Sequence, residues 1–240
     1  MQTQDAVAGR ALALGLIALR AQYENGITYN EEEGAKERYS KLGQELLDWA
    51  QDQKIDGFLS GKERKLHRKK FGKWGFDDIG ERFWRIESLK AVLWCIRVFD
   101  EMPTYFEVGK VNDTYNKLPE GKEVAGFLAG AKLRAEDDIN KEREFAQFLN
   151  WRCRTEMLRL QGMKPPRGDS YKAVVARALP AIEENGFPVE HDGEDILVNG
   201  VRFVDLGEDK GHMMSICYER HLALEWVLSE DDWDEARADT

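Results

Sequence analysis

Paired cysteines, long apolar runs and cofactor motifs are all missing from this 240-residue chain. Its three cysteines, Cys95, Cys153 and Cys217, lie far apart, each inside an apolar helical pattern. A disulfide framework needs an even number at close spacing, and a zinc site needs C-x-x-C or Cys/His pairs. These three therefore read as buried free thiols in a reducing cytoplasm. No stretch approaches the roughly 18–20 apolar residues of a membrane-spanning helix. Six prolines and few Val or Thr runs exclude a repeated all-β design. A P-loop, a dinucleotide-binding glycine motif, H-E-x-x-H and G-x-S-x-G are all missing, so no cofactor and no metal is expected. The acidic run Asp231-Asp232-Trp233-Asp234-Glu235 lacks the glycine and ligand spacing of a calcium loop.

What is present describes a helical protein. The chain is 42% apolar with seven tryptophans, too apolar and aromatic for disorder, and long enough to bury roughly 70% of its unfolded surface. Leu12, Leu16, Leu19 and Tyr23 recur at spacings of three and four, so 5–24 reads as an amphipathic first helix rather than the core of a leader segment. Further helices are expected at 34–53, 61–71, 78–100, 121–131, 135–161, 169–185 and 213–228. Breaks are expected at Asn25-Gly26, Gly57, Gly75, Pro103, Pro119 and a loop over 163–169, with Asp77 or Asp78 as the N-cap of the fourth helix. Asp195–Val198, Asn199-Gly200 and Val201–Val204 form a hairpin signal, because Asn-Gly tolerates the positive φ angles of a type I′ turn. A lone hairpin is marginal in water, and residues 187–190 are available as a third strand. The expected fold is mainly α: a single-domain multi-helix orthogonal bundle over 1–240, with helical body 1–186 and 211–240 and a small β-hairpin inserted at 187–206, before the C-terminal helix.

Charge is distributed unevenly. A net charge of −10 disfavours nonspecific nucleic-acid binding. Against it, Lys62, Arg64, Lys65, Arg68, Lys69, Lys70 and Lys73 stand beside a single acid, Glu63, within 60–74. This run is either a docking patch for an acidic partner or a phosphate backbone, or the solvated face of a short helix whose Leu59, Leu66 and Phe71 face inward.

Other charges occupy positions where the pattern wants apolar residues. Leu89 to Phe99 is apolar at nine of eleven positions, the exceptions being Lys90 and Arg97, which share a face with Glu87 and suggest a Glu87–Lys90 pair. Arg85 falls on the buried side over Leu89 and Val92, where a guanidinium needs a carboxylate or several carbonyls. In the last helix Glu219, Arg220 and His221 are consecutive in an apolar setting. Either Arg85–Glu219 or Glu87–Arg220 is a buried ion pair locking two core helices, or all five converge in a cleft with His221 as general base and the arginines as anion ligands. Asn150, Cys153, Arg154 and Met157 share one side of the long helix, and Cys153 has no nearby histidine to activate it.

Three segments carry a family resemblance. Trp84-Arg85-Ile86-Glu87-Ser88-Leu89 with Trp94 resembles a W-R-x-E-x-L…W signature. Glu219-Arg220-His221-x-Ala223-Leu224-x-Trp226 resembles E-R-x-x-A-L-x-W, and Trp233-Asp234-Glu235 with Asp239-Thr240 resembles a closing W-D-x-x…D-T. With Arg10-Ala11 through Arg20-Ala21 as the opening helix, the chain resembles the bacterial domain of unknown function 4272 family over nearly its whole length. The resemblance implies a mainly helical single domain and a His before the tryptophan of the long helix, where this chain has Asn150 before Trp151. It implies no activity. The expected function is therefore a non-catalytic, cytoplasmic bacterial interaction protein (an adaptor or an immunity-type protein) with a protein partner and without nucleic acid or membrane. The alternative is a hydrolase or transferase acting on an anionic small molecule at the Arg/Glu/His cluster.

Overall fold

The computed structural model describes residues 1–165 and 168–240; two residues of the expected 163–169 loop, 166 and 167, lie outside the described residues. The helices are α1 (Gln4–Tyr29), α2 (Ala35–Asp52), α3 (Gly61–His67), α4 (Phe76–Phe83), α5 (Arg85–Cys95), α6 (Val111–Tyr115), α7 (Ala125–Gly130), α8 (Glu136–Leu160), α9 (Tyr171–Ala178), α10 (Pro180–Asn185) and α11 (Asp209–Leu228). Strands β1 (Glu190–His191), β2 (Ile196–Val198) and β3 (Val201–Arg202) form an antiparallel sheet in the order β1-β2-β3, just before α11. The mainly helical class and the position of the β element are those expected. Among the described residues no helix is long and apolar enough to cross a membrane.

Helix α1 differs most from its expected form. It is buried on nearly every side from Val7 to Ala21, because α2, α4 and α5 pack around it. It also runs straight through Asn25-Gly26, the expected break. Gly26 serves a close approach there: a Cβ would come within 2.4 Å of the Tyr39 ring of α2. The glycine thus seats a neighbouring ring rather than turning the chain.

The expected helix 78–100 is two helices. It starts earlier, with Gly75 as N-cap, so Asp77 and Asp78 lie in the first turn rather than capping it. Trp84 separates α4 from α5 at near-helical dihedrals, a kink more than a break. Helix α5 then ends in a left-handed cap, with Arg97 at φ 62° and the Val98 amide donating to the Leu93 carbonyl. Arg97 is therefore exposed and off the Glu87/Lys90 stripe. Arg134 completes this terminus by donating to the carbonyls of Trp94, Phe99 and Asp100 at 2.6–2.8 Å. The expected helix 169–185 is also split, with Pro180 opening α10, since a proline ring clashes with the carbonyl one turn back.

The hairpin turn is as its chemistry requires, with positive φ at Asn199 and Gly200. The third strand is supplied by residues 190–191, while Phe187 packs its ring against Phe145 and Phe148. After β3 the chain turns into a short 3-10 helix, Phe203–Asp205, rather than continuing as strand to Val204.

A buried ionic network joins this sheet to α8. Arg152 donates twice to Asp195 at 2.6 Å, and Glu156 accepts from Arg159 and from Lys210 at 2.8–2.9 Å. Burial opposes ionisation of Glu156, but its contacts with Arg159 and Lys210 outweigh that and hold its pKa at about 2. Because the folded pKa lies below the ordinary 4.5, this stabilisation is complete above pH 4.5 and disappears as pH falls toward 2. In Glu156→Gln the decline of Tm between those pH values should be shallower than in the unsubstituted protein. Equal declines would show that Glu156 is not the group titrating.

Candidate functional site

The expected cluster of Arg85, Glu87, Glu219, Arg220 and His221 sits where α5, α8 and α11 meet, but it divides into three separate arrangements. The first is closed. Glu87 is fully buried and accepts from Lys90 Nζ at 2.6 Å and from Arg220 Nη2 and Nε at 2.7 and 3.0 Å. Arg220, also fully buried, donates through Nη1 to the Pro103 carbonyl and lies 4.7 Å over the Tyr105 ring. Tyr105 in turn donates to Glu142 at 2.8 Å. Two buried cations share one buried carboxylate.

The second arrangement joins Arg85 to Glu219. Arg85 Nη1 donates to Glu219 Oε2 at 2.9 Å, and Ser88 Oγ lies 2.5 Å from that same oxygen. Burial raises the Glu219 pKa against the pull of Arg85 and Ser88. Both of the ion pairs considered from the sequence therefore exist, and each ties α5 to α11. This half is not sealed: the Arg85 side chain keeps 19% of its surface in solvent.

His221 belongs to neither pair. Its Nδ1 is 3.1 Å from the Asn150 amide nitrogen, which also donates to the Ala238 carbonyl, and its Nε2 is 3.1 Å from Glu225. An amide donor at Nδ1 assigns the ring proton to Nε2, facing the carboxylate. With both nitrogens engaged and the ring fully buried, His221 pins α8, α11 and the C-terminal segment together. The shared face of Asn150, Cys153, Arg154 and Met157 lines a shallow apolar cleft with Met214 and Tyr218. Burial pushes the Cys217 thiol well up, with its contact to Cys153 adding to the shift. All three cysteines are free and buried.

The basic run lies on α3 and the loop after it. Ser60 and Glu63 form a capping box, and Glu63 turns inward to the buried Arg10 of α1, which explains why it is the run's one acid. Leu59 and Leu66 are buried and Phe71 is partly so, as the helical reading required, while all seven basic residues are exposed. Lys69 pairs with Asp78 at 2.9 Å, Lys62 donates to the Asp234 carbonyl at 3.3 Å and Arg64 to the Leu59 carbonyl at 3.0 Å. Among the described residues Lys65, Arg68, Lys70 and Lys73 have no ion-pair partner. The loop beneath them is rigidly held: Arg20, buried in α1, donates to the carbonyls of His67 and Lys69 and packs on the rings of Phe71 and Trp74. Glu24 completes the anchor by accepting from the Gly72 amide at 2.7 Å.

Sequence reasoning passed over Arg10, Arg20, Glu24, Arg152, Glu156 and Asp195 as charge anomalies. The signal for Arg10 and Arg20 was available, since both interrupt the apolar stretch of α1; Arg152 and Glu156 are one helical turn apart, but Asp195 is paired with them only by the fold.

Among the family models, one described as a domain of unknown function (DUF4272) matches residues 1–180, from α1 to the first residue of α10. The Trp84–Trp94 signature lies inside that stretch, and the two signatures of 219–226 and 233–240 lie beyond it. No curated protein and no solved structure matches the chain.

Proposed function

The chain belongs to the DUF4272 family, and we propose that it is a non-catalytic cytoplasmic bacterial interaction protein, of adaptor or immunity type, that docks an acidic protein partner on the face carrying Lys62, Arg64, Lys65, Arg68, Lys69, Lys70 and Lys73. The observation that carries this reading is a contrast. Glu87, Lys90, Arg220 and His221 are buried and engaged with one another or with neighbouring groups, whereas Lys65, Arg68, Lys70 and Lys73 are exposed and, among the described residues, without an ion-pair partner, on a platform braced by Arg20 and Glu24. Unpaired like charges on one face contribute nothing to folding, and a complementary partner relieves their repulsion.

Reversing four of these charges (Lys65→Glu, Arg68→Glu, Lys70→Glu, Lys73→Glu) should leave Tm within a few degrees, since none holds a structural contact. The same variant should lose an acidic protein that the unsubstituted chain retains and that elevated salt releases. An unchanged set of retained proteins in the variant would sink the docking reading, and recovery of RNA or DNA in place of protein would replace it. The enzyme reading has weaker support, because the residue it needs as general base has both ring nitrogens occupied.

A further inference from the structure

A cavity of about 380 Å³ opens where α1, α2 and the chain after α6 meet. Three aromatic side chains line it: Tyr23 of α1, Trp49 of α2 and Tyr115 at the end of α6. Leu46 and Leu118, both buried, add apolar surface. The residues that carry charge here come from α2 and from a single turn.

That turn, Pro119 to Lys122, closes with the Lys122 amide donating to the Pro119 carbonyl at 3.0 Å, and Gly121 supplies the positive φ, 69°, at its third position. Trp49 Nε1 donates to the Lys122 carbonyl at 2.7 Å, so the indole both holds the turn and lines the cavity. The second residue of the turn is Glu120, which lines the cavity together with Glu45 of α2. Among the described residues the Glu120 carboxylate has no ion-pair or hydrogen-bond partner, and Glu45 has only the exposed Lys41, at 3.9 Å. Lys122 also lines the cavity but is exposed and, among the described residues, pairs with neither acid. Burial raises the Glu120 pKa with no cation acting against it. The Tyr23 phenol is pushed up to about 12 by burial and then by the charges of Glu120 and Glu45, as their shared cavity requires.

The geometry points to a binding site in this cavity for a small organic cation of the quaternary-ammonium class, with Tyr23, Trp49 and Tyr115 as its aromatic walls and Glu45 and Glu120 as its counter-charges. Aromatic rings attract a cation through their quadrupoles and at the same time accept its methyl groups, which is the recognition that a quaternary ammonium needs. Two carboxylates are too few to replace the hydration shell of an inorganic cation, which calls for six or more oxygen ligands. Leu46 and Leu118 suit an apolar body rather than a second charge. The site is independent of the basic docking face, and either can exist without the other.

The test is calorimetric titration of the full chain with choline at constant ionic strength. The other arms are 3,3-dimethylbutan-1-ol, which keeps the shape without the charge, and ammonium, which keeps the charge without the methyl groups. Choline should bind saturably and one-to-one, with each of the other two weaker by about tenfold or more. Glu120→Gln should weaken choline several-fold and leave Tm unchanged, since Glu120 is exposed and its side chain holds no contact among the described residues. Tyr23→Phe, which keeps the ring, should bind choline as the unsubstituted chain does, whereas Tyr23→Leu should bind it about tenfold more weakly. No saturable binding, the neutral alcohol or ammonium binding as tightly as choline, or unchanged affinity in Glu120→Gln or Tyr23→Leu would each overturn the assignment.

Discussion

Replacing Glu87 with leucine destabilises this protein by about 3–5 kcal/mol, because it strands buried cations in a dry interior. For a chain of this length that corresponds to a fall in Tm of roughly 6–20 °C. Glu87 is the single carboxylate between Lys90 at 2.6 Å and Arg220 at 2.7 Å, and all three are at most 3% exposed. The leucine fills much of the volume but satisfies neither cation. The expected loss is in stability alone; a variant with unaltered Tm would mean that water reaches Lys90 and Arg220 and that the interior there is not closed. Glu87→Gln should fall between the two, since an amide oxygen still accepts but carries no charge.

Asp195→Ala should have a comparable effect by a different route. Asp195 accepts both donors of Arg152 at 2.6 Å and also the backbone amides of Ile196 and Val204 at 2.9 Å. One side chain thus organises the sheet internally and fastens it to α8. Its loss leaves buried Arg152 with only the more distant Glu156, at 3.8 Å, and frees the amide at each end of the β2–β3 turn region. A cost of about 3–5 kcal/mol follows from breaking a buried pair on one side. Hydrogen exchange should accelerate first in residues 190–206 and only later in α1 and α5, because short strands held by one anchor open before the helical core. Uniform acceleration across the chain, or none, would count against that role.

Much of this organisation was legible in the residues, and the limits have physical causes. The Asn199-Gly200 turn was readable because positive φ restricts residue choice locally. Glu87, Arg220, Arg85 and Glu219 were identifiable because charges inside apolar periodicity must find partners, and the two helices carrying them offered complementary signs. The third arrangement was not legible: whether His221 turned toward the arginines or toward Asn150 depends on the rotation of α11 against α8, which no single helix encodes. Helix ends were misplaced where tertiary contact overrode local signals. Gly26 stayed helical to admit Tyr39, and α5 stopped at Arg97, where Arg134, distant in sequence, closes its carbonyls. The sealed pairs of Arg10 with Glu63 and Arg152 with Asp195 span 53 and 43 residues, so sequence spacing alone left them open.

The charge-locked interior is tested most directly by a double-mutant cycle on Glu87 and Arg220, read by urea unfolding. Glu87→Leu and Arg220→Met should each be destabilising, and the double variant should be less unstable than the sum of the two by about 2–3 kcal/mol. Glu87→Leu alone strands both Lys90 and Arg220, whereas the double variant strands Lys90 only. Additive effects, with the double variant as unstable as the sum of the two, would contradict the lock and return these residues to the search for a ligand site.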